Sequence, residues 1–113
     1  MSRLIHDIKR THRCGSLRET DIGKEVVLMG WVHTRRDHGQ CIFVDLRDRE
    51  GVTQVVFDPE VAQAAHQTAG DIRGEWVVGI IGKVRSRGGN VNPKLATGAI
   101  VVAATRLEVL AKA

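Results

Sequence analysis

Cysteine is scarce. Only Cys14 and Cys41 occur among the 113 residues, and with no secretory leader ahead of them they read as reduced thiols of a cytoplasmic protein rather than a disulfide framework. The five histidines, His6, His12, His33, His38 and His66, fall into no metal-ligand spacing, so no metal site is expected. No apolar run approaches the roughly 20 residues of a membrane-spanning helix. Charge of one sign is also limited: a formal net charge of +4 favours a polyanionic partner without requiring one. Hydrophobic residues at 42% and charged residues at 27% argue against disorder and leave enough apolar surface for one domain to fold alone.

What is present is strand alternation, clearest between Gly30 and Pro59. Residues 41–48 and 52–57 are β-rich runs separated by a turn sequence that ends in Gly51, which reads as a hairpin. Alternation puts Ile42, Val44, Leu46, Val55 and Phe57 on a core face and Phe43, Asp45, Arg47, Gln54 and Val56 on the other. If Arg47 pairs with Val52, Phe43 lies diagonally from Gln54 on the outward surface. A nucleic-acid base can stack on Phe43 and offer its edge to the Gln54 amide, which both donates and accepts. Alternation alone equally allows Phe43 to lie under a loop and Gln54 to face only solvent. Arg35 and Arg36 precede this surface, and Lys83, Arg85 and Arg87 form a period-two row suited to a phosphate backbone or to guarding a sheet edge.

Taken in order, residues 1–13 have no firm period and read as a flexible segment, with residues 14–113 forming the domain. A single helical turn closed by Gly23 is expected to plug one end of a barrel. Residues 25–36 read as a long strand, and Gly30 marks a bend or bulge where one strand serves two sheets. Strict alternation would turn Arg36 inward, so its use at a binding surface requires such a bulge or an early start to the turn at residues 37–40. Asp58 as N-cap and Pro59 at the first helical position begin a helix that Gly74 is expected to stop. Strands follow at 75–87 and 99–111, separated by a Gly- and Asn-rich loop at 86–98. The order β-β-β-α-β-β predicts an all-β, five-stranded OB-fold Greek-key barrel with one helix between strands three and four. Asp45, Asp48 and Glu50 have Arg47 and Arg49 as neighbours, so surface ion pairing is expected of them rather than catalysis.

The segments RTHRCGSLRETDIGK, GWVHTRRDHGQCIFVDLRDREGVTQVVFDP and NPKLATG resemble the amino-terminal anticodon-binding domain of bacterial aspartyl-tRNA synthetases, over nearly the whole chain after Arg10. The resemblance implies that the partner is the anticodon loop of tRNA(Asp), its bases splayed onto the sheet. Phe43 would stack on one base, and Gln54 and Arg36 would contact the middle and third. Arg85, Arg87, Asn90 and Asn92 would lie near the RNA. His38 and Gly89 stand where relatives that charge both tRNA(Asp) and tRNA(Asn) look similar, which leaves the choice between the two open. No catalytic residue and no cofactor are implied for this chain, since ATP and magnesium belong to the catalytic domain of the parent class II enzyme, a homodimer. The family usually carries acidic residues where Ala99 and Val102, or its neighbour, stand here. Two other readings remain: a free-standing single-strand nucleic-acid binder, and an OB barrel that docks a protein.

Overall fold

The central hairpin has the pairing that its alternation predicts. In the computed structural model, which describes residues 10–112, strand β2 (Cys41–Asp48) pairs antiparallel with β3 (Gly51–Phe57). Arg47 is opposite Val52, Asp45 opposite Gln54 and Phe43 opposite Val56. Ile42, Val44, Leu46, Val55 and Phe57 are all buried, as their parity requires. Truncating Phe57 to Ala in such a core costs about 3 to 5 kcal/mol.

Strand β1 (Glu25–His38) is the longest and serves two partners. Its first half pairs with β4 (Val77–Ser86), its second with β2, and the change occurs at Trp31, which is paired to both. A Cβ on Gly30 would collide with the Arg47 carbonyl at this crossing, so only glycine fits. Strand β5 (Ile100–Ala111) runs antiparallel to β4 and closes the barrel in the order β1-β2-β3-β5-β4. The seam between β3 and β5 is parallel and short, with only Val55 opposite Val102 and Val56 opposite Ala103. Val102 is buried in that seam, a site with no room for an unpaired charge.

Several boundaries differ from the sequence expectation. The bulge falls at His33, where the register jumps between Val32 and Thr34, and not at Gly30. Beside it, Val32 keeps its pairing with Leu46 on β2 while it donates its N–H to the Trp76 carbonyl (2.9 Å) and accepts from the Glu75 N–H (2.8 Å), so the residue skipped is His33. Glu75 and Trp76 therefore belong to the approach to β4, Glu75 with φ of 72°, rather than to the strand. Helix α1 spans only Gln63–Ala69. Asp58 caps a separate turn, taking the Glu60 N–H on Oδ1 (2.9 Å), and Gly70 ends the helix well before Gly74.

The segment ahead of β1 packs on the barrel through Cys14 and Leu17 and not through the helical turn expected to plug it, whose Glu19, Thr20, Ile22 and Gly23 are exposed. A 3-10 turn at Glu19–Asp21 precedes β1, and Leu17 and Cys14 are fully buried beside it. Residues 1–9 of the segment expected to be flexible lie outside the described residues, while the Thr11 N–H donates to the Val27 carbonyl (3.0 Å). Asp48, expected at the surface, is instead buried here and accepts from the backbone N–H of Cys14 (2.7 Å), Glu50 (2.8 Å) and Gly51 (3.2 Å). The Thr53 hydroxyl donates to the Cys14 carbonyl.

Candidate nucleic-acid interface

The bulge decides which arginine reaches the outer surface. By skipping one residue it places Thr34 and Arg36 on the outward face, opposite Asp45 and Phe43, and turns Arg35 to the inward parity opposite Val44. Arg36 is exposed and has no hydrogen-bond or ion-pair partner among the described residues. Arg35 does not join the basic surface as expected: its guanidinium donates to the Ala69 carbonyl at the end of α1 (3.0 Å) and pairs with Asp37 (3.2 Å).

Arg36, His38, Phe43, Gln54, Arg85 and Arg87 line one cleft of about 670 Å³, together with Asp37, Val56, Asp58, Ser86 and Val101. The Phe43 ring is half-buried and meets His38 edge to face, ring centres 6.2 Å apart and planes at 71°. That contact holds one ring edge and suits the T-shaped preference of aromatic pairs. Gln54 is 8% exposed, yet its amide has no protein hydrogen-bond partner among the described residues. No buried side-chain nitrogen or oxygen among the described residues lacks a partner, so the Gln54 amide opens to solvent in the cleft, where its donor and acceptor stand beside an aromatic ring and are available to a ligand carrying both functions.

The cleft is cationic in effect. Arg36, Arg85 and Arg87 contribute three positive charges against the carboxylates of Asp58 and of Asp37, the latter paired with Arg35 outside the lining, so an excess of positive charge remains. Arg85 is exposed, and Arg87 donates to the Gly98 carbonyl at the cleft margin (3.4 Å). Lys83 lies farther along β4 and does not line the cleft. Nor do Gly89 and Asn92: Gly89 sits in a 3-10 turn at Gly88–Asn90, and the Asn92 side-chain carbonyl accepts from the Lys94 N–H (3.0 Å). Asn90 contributes its backbone to that turn, and its side chain lies outside what is described. Asp58 and Val101 were not expected in the cleft. Asp58 had been assigned to a helix cap, and Val101 is signalled only by its outward parity on β5.

No group of three or more His, Cys, Asp or Glu side chains among the described residues is placed to hold a metal ion. No helix among them is long and apolar enough to cross a membrane. Both thiols are held protonated: burial, then the neighbouring Asp48 carboxylate, pushes Cys14 far up, and burial followed by Asp58 and Glu60 raises Cys41. The cleft offers stacking, one amide and three guanidinium groups. It can bind a base and its phosphates, and it has no nucleophile and base set in hydrogen-bond contact.

The chain is similar to the aspartate–tRNA(Asp/Asn) ligase of Anaeromyxobacter sp. strain K, 61% identical over 109 residues, which cover 96% of this chain and 18% of that protein. This chain thus spans less than a fifth of that relative's length. Among solved structures it is similar to asparaginyl-tRNA synthetase from Pyrococcus horikoshii in complex with asparaginyl-adenylate, with a TM-score of 0.79 and 27% identity over 94% of this chain and 23% of the other. It is also similar to OBody AM3L09 bound to hen egg-white lysozyme, with a TM-score of 0.81 and 27% identity over 93% of this chain and 98% of the other. Residues 26–110, which hold the five strands but for the first residue of β1 and the last of β5 and include every residue lining the cleft, match the tRNA anti-codon family of OB-fold nucleic acid binding domains, and the chain belongs to that family.

Proposed function

We propose that this chain is the anticodon-binding portion of an aspartate–tRNA ligase and that the cleft reads bases splayed from the anticodon loop. The observation that carries the reading is the pairing of a half-buried aromatic, Phe43, with the unpartnered Gln54 amide inside a cationic cleft. Phe43 stacks one base, and Gln54 donates to and accepts from the edge of the middle base, where a mismatched edge leaves the sheltered amide unpaired. Arg36 contacts the third base, and Arg85 and Arg87 follow the phosphates, with Asn90 and Asn92 flanking them in the loop. Membership in the anticodon family and the high identity to an aspartate–tRNA(Asp/Asn) ligase support this over a free-standing single-strand binder or a protein-docking barrel.

The parent enzyme attaches aspartate to tRNA(Asp) and, through His38 and Gly89, relaxes the choice at the third base enough to accept tRNA(Asn). It acts as a homodimer in the cytoplasm. ATP and magnesium serve its catalytic portion, and no residue of this chain takes part in that step. The test is a titration of anticodon stem-loops, altered singly at the middle and third bases, at one stated salt concentration. The reading requires weaker binding when the middle base is changed and less than about a tenfold difference, roughly 1.4 kcal/mol, between the aspartate and asparagine loops. Equal binding to every loop would favour a sequence-tolerant binder.

A further inference from the structure

We infer that Arg35 and His66, neither of which lines the cleft, are positioning residues that strut the tip of the β1–β2 hairpin against α1 and so set where Arg36 and His38 stand. The inference rests on reading the cleft as a base-binding site. The tip is the two-residue turn Gly39-Gln40, and α1 holds it on both sides. Before the turn, the Arg35 Nε donates to the Ala69 carbonyl (3.0 Å) and its Nη2 to the Gly70 carbonyl (3.4 Å). These belong to the carbonyls a helix end leaves without partners, and a cation is favoured there. The same guanidinium reaches forward to the Asp37 carboxylate (3.2 Å), tying it to the residue between Arg36 and His38. At the turn itself, the His66 Nε2–H donates to the Gln40 carbonyl (2.8 Å).

The Arg35 bonds depend on the bulge at His33, which sets the face on which that side chain lies. Without it the two arginines would exchange faces, Arg35 standing outward beside Phe43 and Arg36 turning inward. The two arginines thus have divided roles: one touches the ligand's side, the other holds its neighbour in place. His38, three residues beyond Arg35, meets the edge of the stacking ring, so a shift of the tip moves that contact directly.

The experiment measures stem-loop affinity for Arg35→Gln, Arg35→Lys, His66→Ala and His66→Gln, in the native background and in one carrying Arg36→Ala with His38→Ala. In the native background Arg35→Gln and His66→Ala should each weaken binding about fivefold, the equivalent of one ordinary hydrogen bond. His66→Gln, which keeps an amide donor to Gln40, should recover most of that loss, and Arg35→Lys, which keeps the charge, part of it. In the Arg36→Ala, His38→Ala background both losses should vanish, because the strut has nothing left to position. A loss that persists there, or equal affinity for all four variants and the native chain, overturns the inference while leaving the cleft reading intact if Phe43→Ala still weakens binding. Absence of stem-loop binding by the native chain overturns both.

Discussion

Asp48 and Gln54 stand on adjacent strands of one hairpin and are sheltered to nearly the same degree, 7% and 8% exposed, but their surroundings are opposite. Three backbone N–H groups converge on the Asp48 carboxylate at the plugged end of the barrel. Around Gln54, toward the open cleft, no protein group among the described residues answers the amide. Burial alone therefore does not tell a structural polar residue from a functional one. The carboxylate is answered by the fold and holds it together, and the amide, open to solvent in the cleft, is free to answer a ligand.

The comparison breaks if Asp48 proves dispensable. Replacing it with Ala strands three amide donors and should cost about 3 kcal/mol of stability, read from a denaturant unfolding curve, with base preference unchanged in the surviving folded protein. Burial alone would raise the Asp48 carboxyl, but the amides of Cys14, Glu50 and Gly51 outweigh it and hold the group below the usual carboxylate range. Its contribution is thus complete above the unfolded carboxylate value of about 3.9 and fades as pH falls toward the lower folded value. Unfolding measured from pH 6 to 2 should show this fade in the native protein and a shallower slope in Asp48→Asn.

A smaller, opposite effect is expected at the cleft. Phe43→Ala should cost about 1 to 3 kcal/mol of stem-loop binding, and Gln54→Ala about 1 kcal/mol confined to loops with the cognate middle base. Both should unfold at denaturant concentrations nearer the native value than Asp48→Ala does. Loss of binding equal across all loops in Gln54→Ala would remove it as a reader. Smallest of all, Arg85→Ala should weaken every loop alike and reduce the slope of log affinity against log salt by about one unit, measured from 50 to 200 mM salt.

One side of this contrast is legible in the sequence, since alternation in β2 and β3 sets both the core face and the outward pair Phe43 and Gln54. The strand order follows from counting elements. The sequence does not reveal the bulge position, which lies beside a residue, Val32, bonded to both β2 and the distant Glu75 and Trp76, some forty residues away. Arg35 was misplaced for the same reason: its parity depends on that bulge, and its partners lie at a helix end reached only after folding. Local chemistry misleads at Asp58, whose capping role is real but serves a turn and not α1. Asp48 looks like a surface carboxylate beside arginines until the segment around Cys14 is folded over it.

The two-rung parallel seam between β3 and β5 has a consequence for biosynthesis. It joins positions almost fifty residues apart, the kind of long-range closure that comes late when a chain assembles. The strand bearing Gln54 gains its second neighbour only after β5 has left the ribosome, so a nascent chain stopped short of Val102 holds the base-reading residues without a barrel to support them.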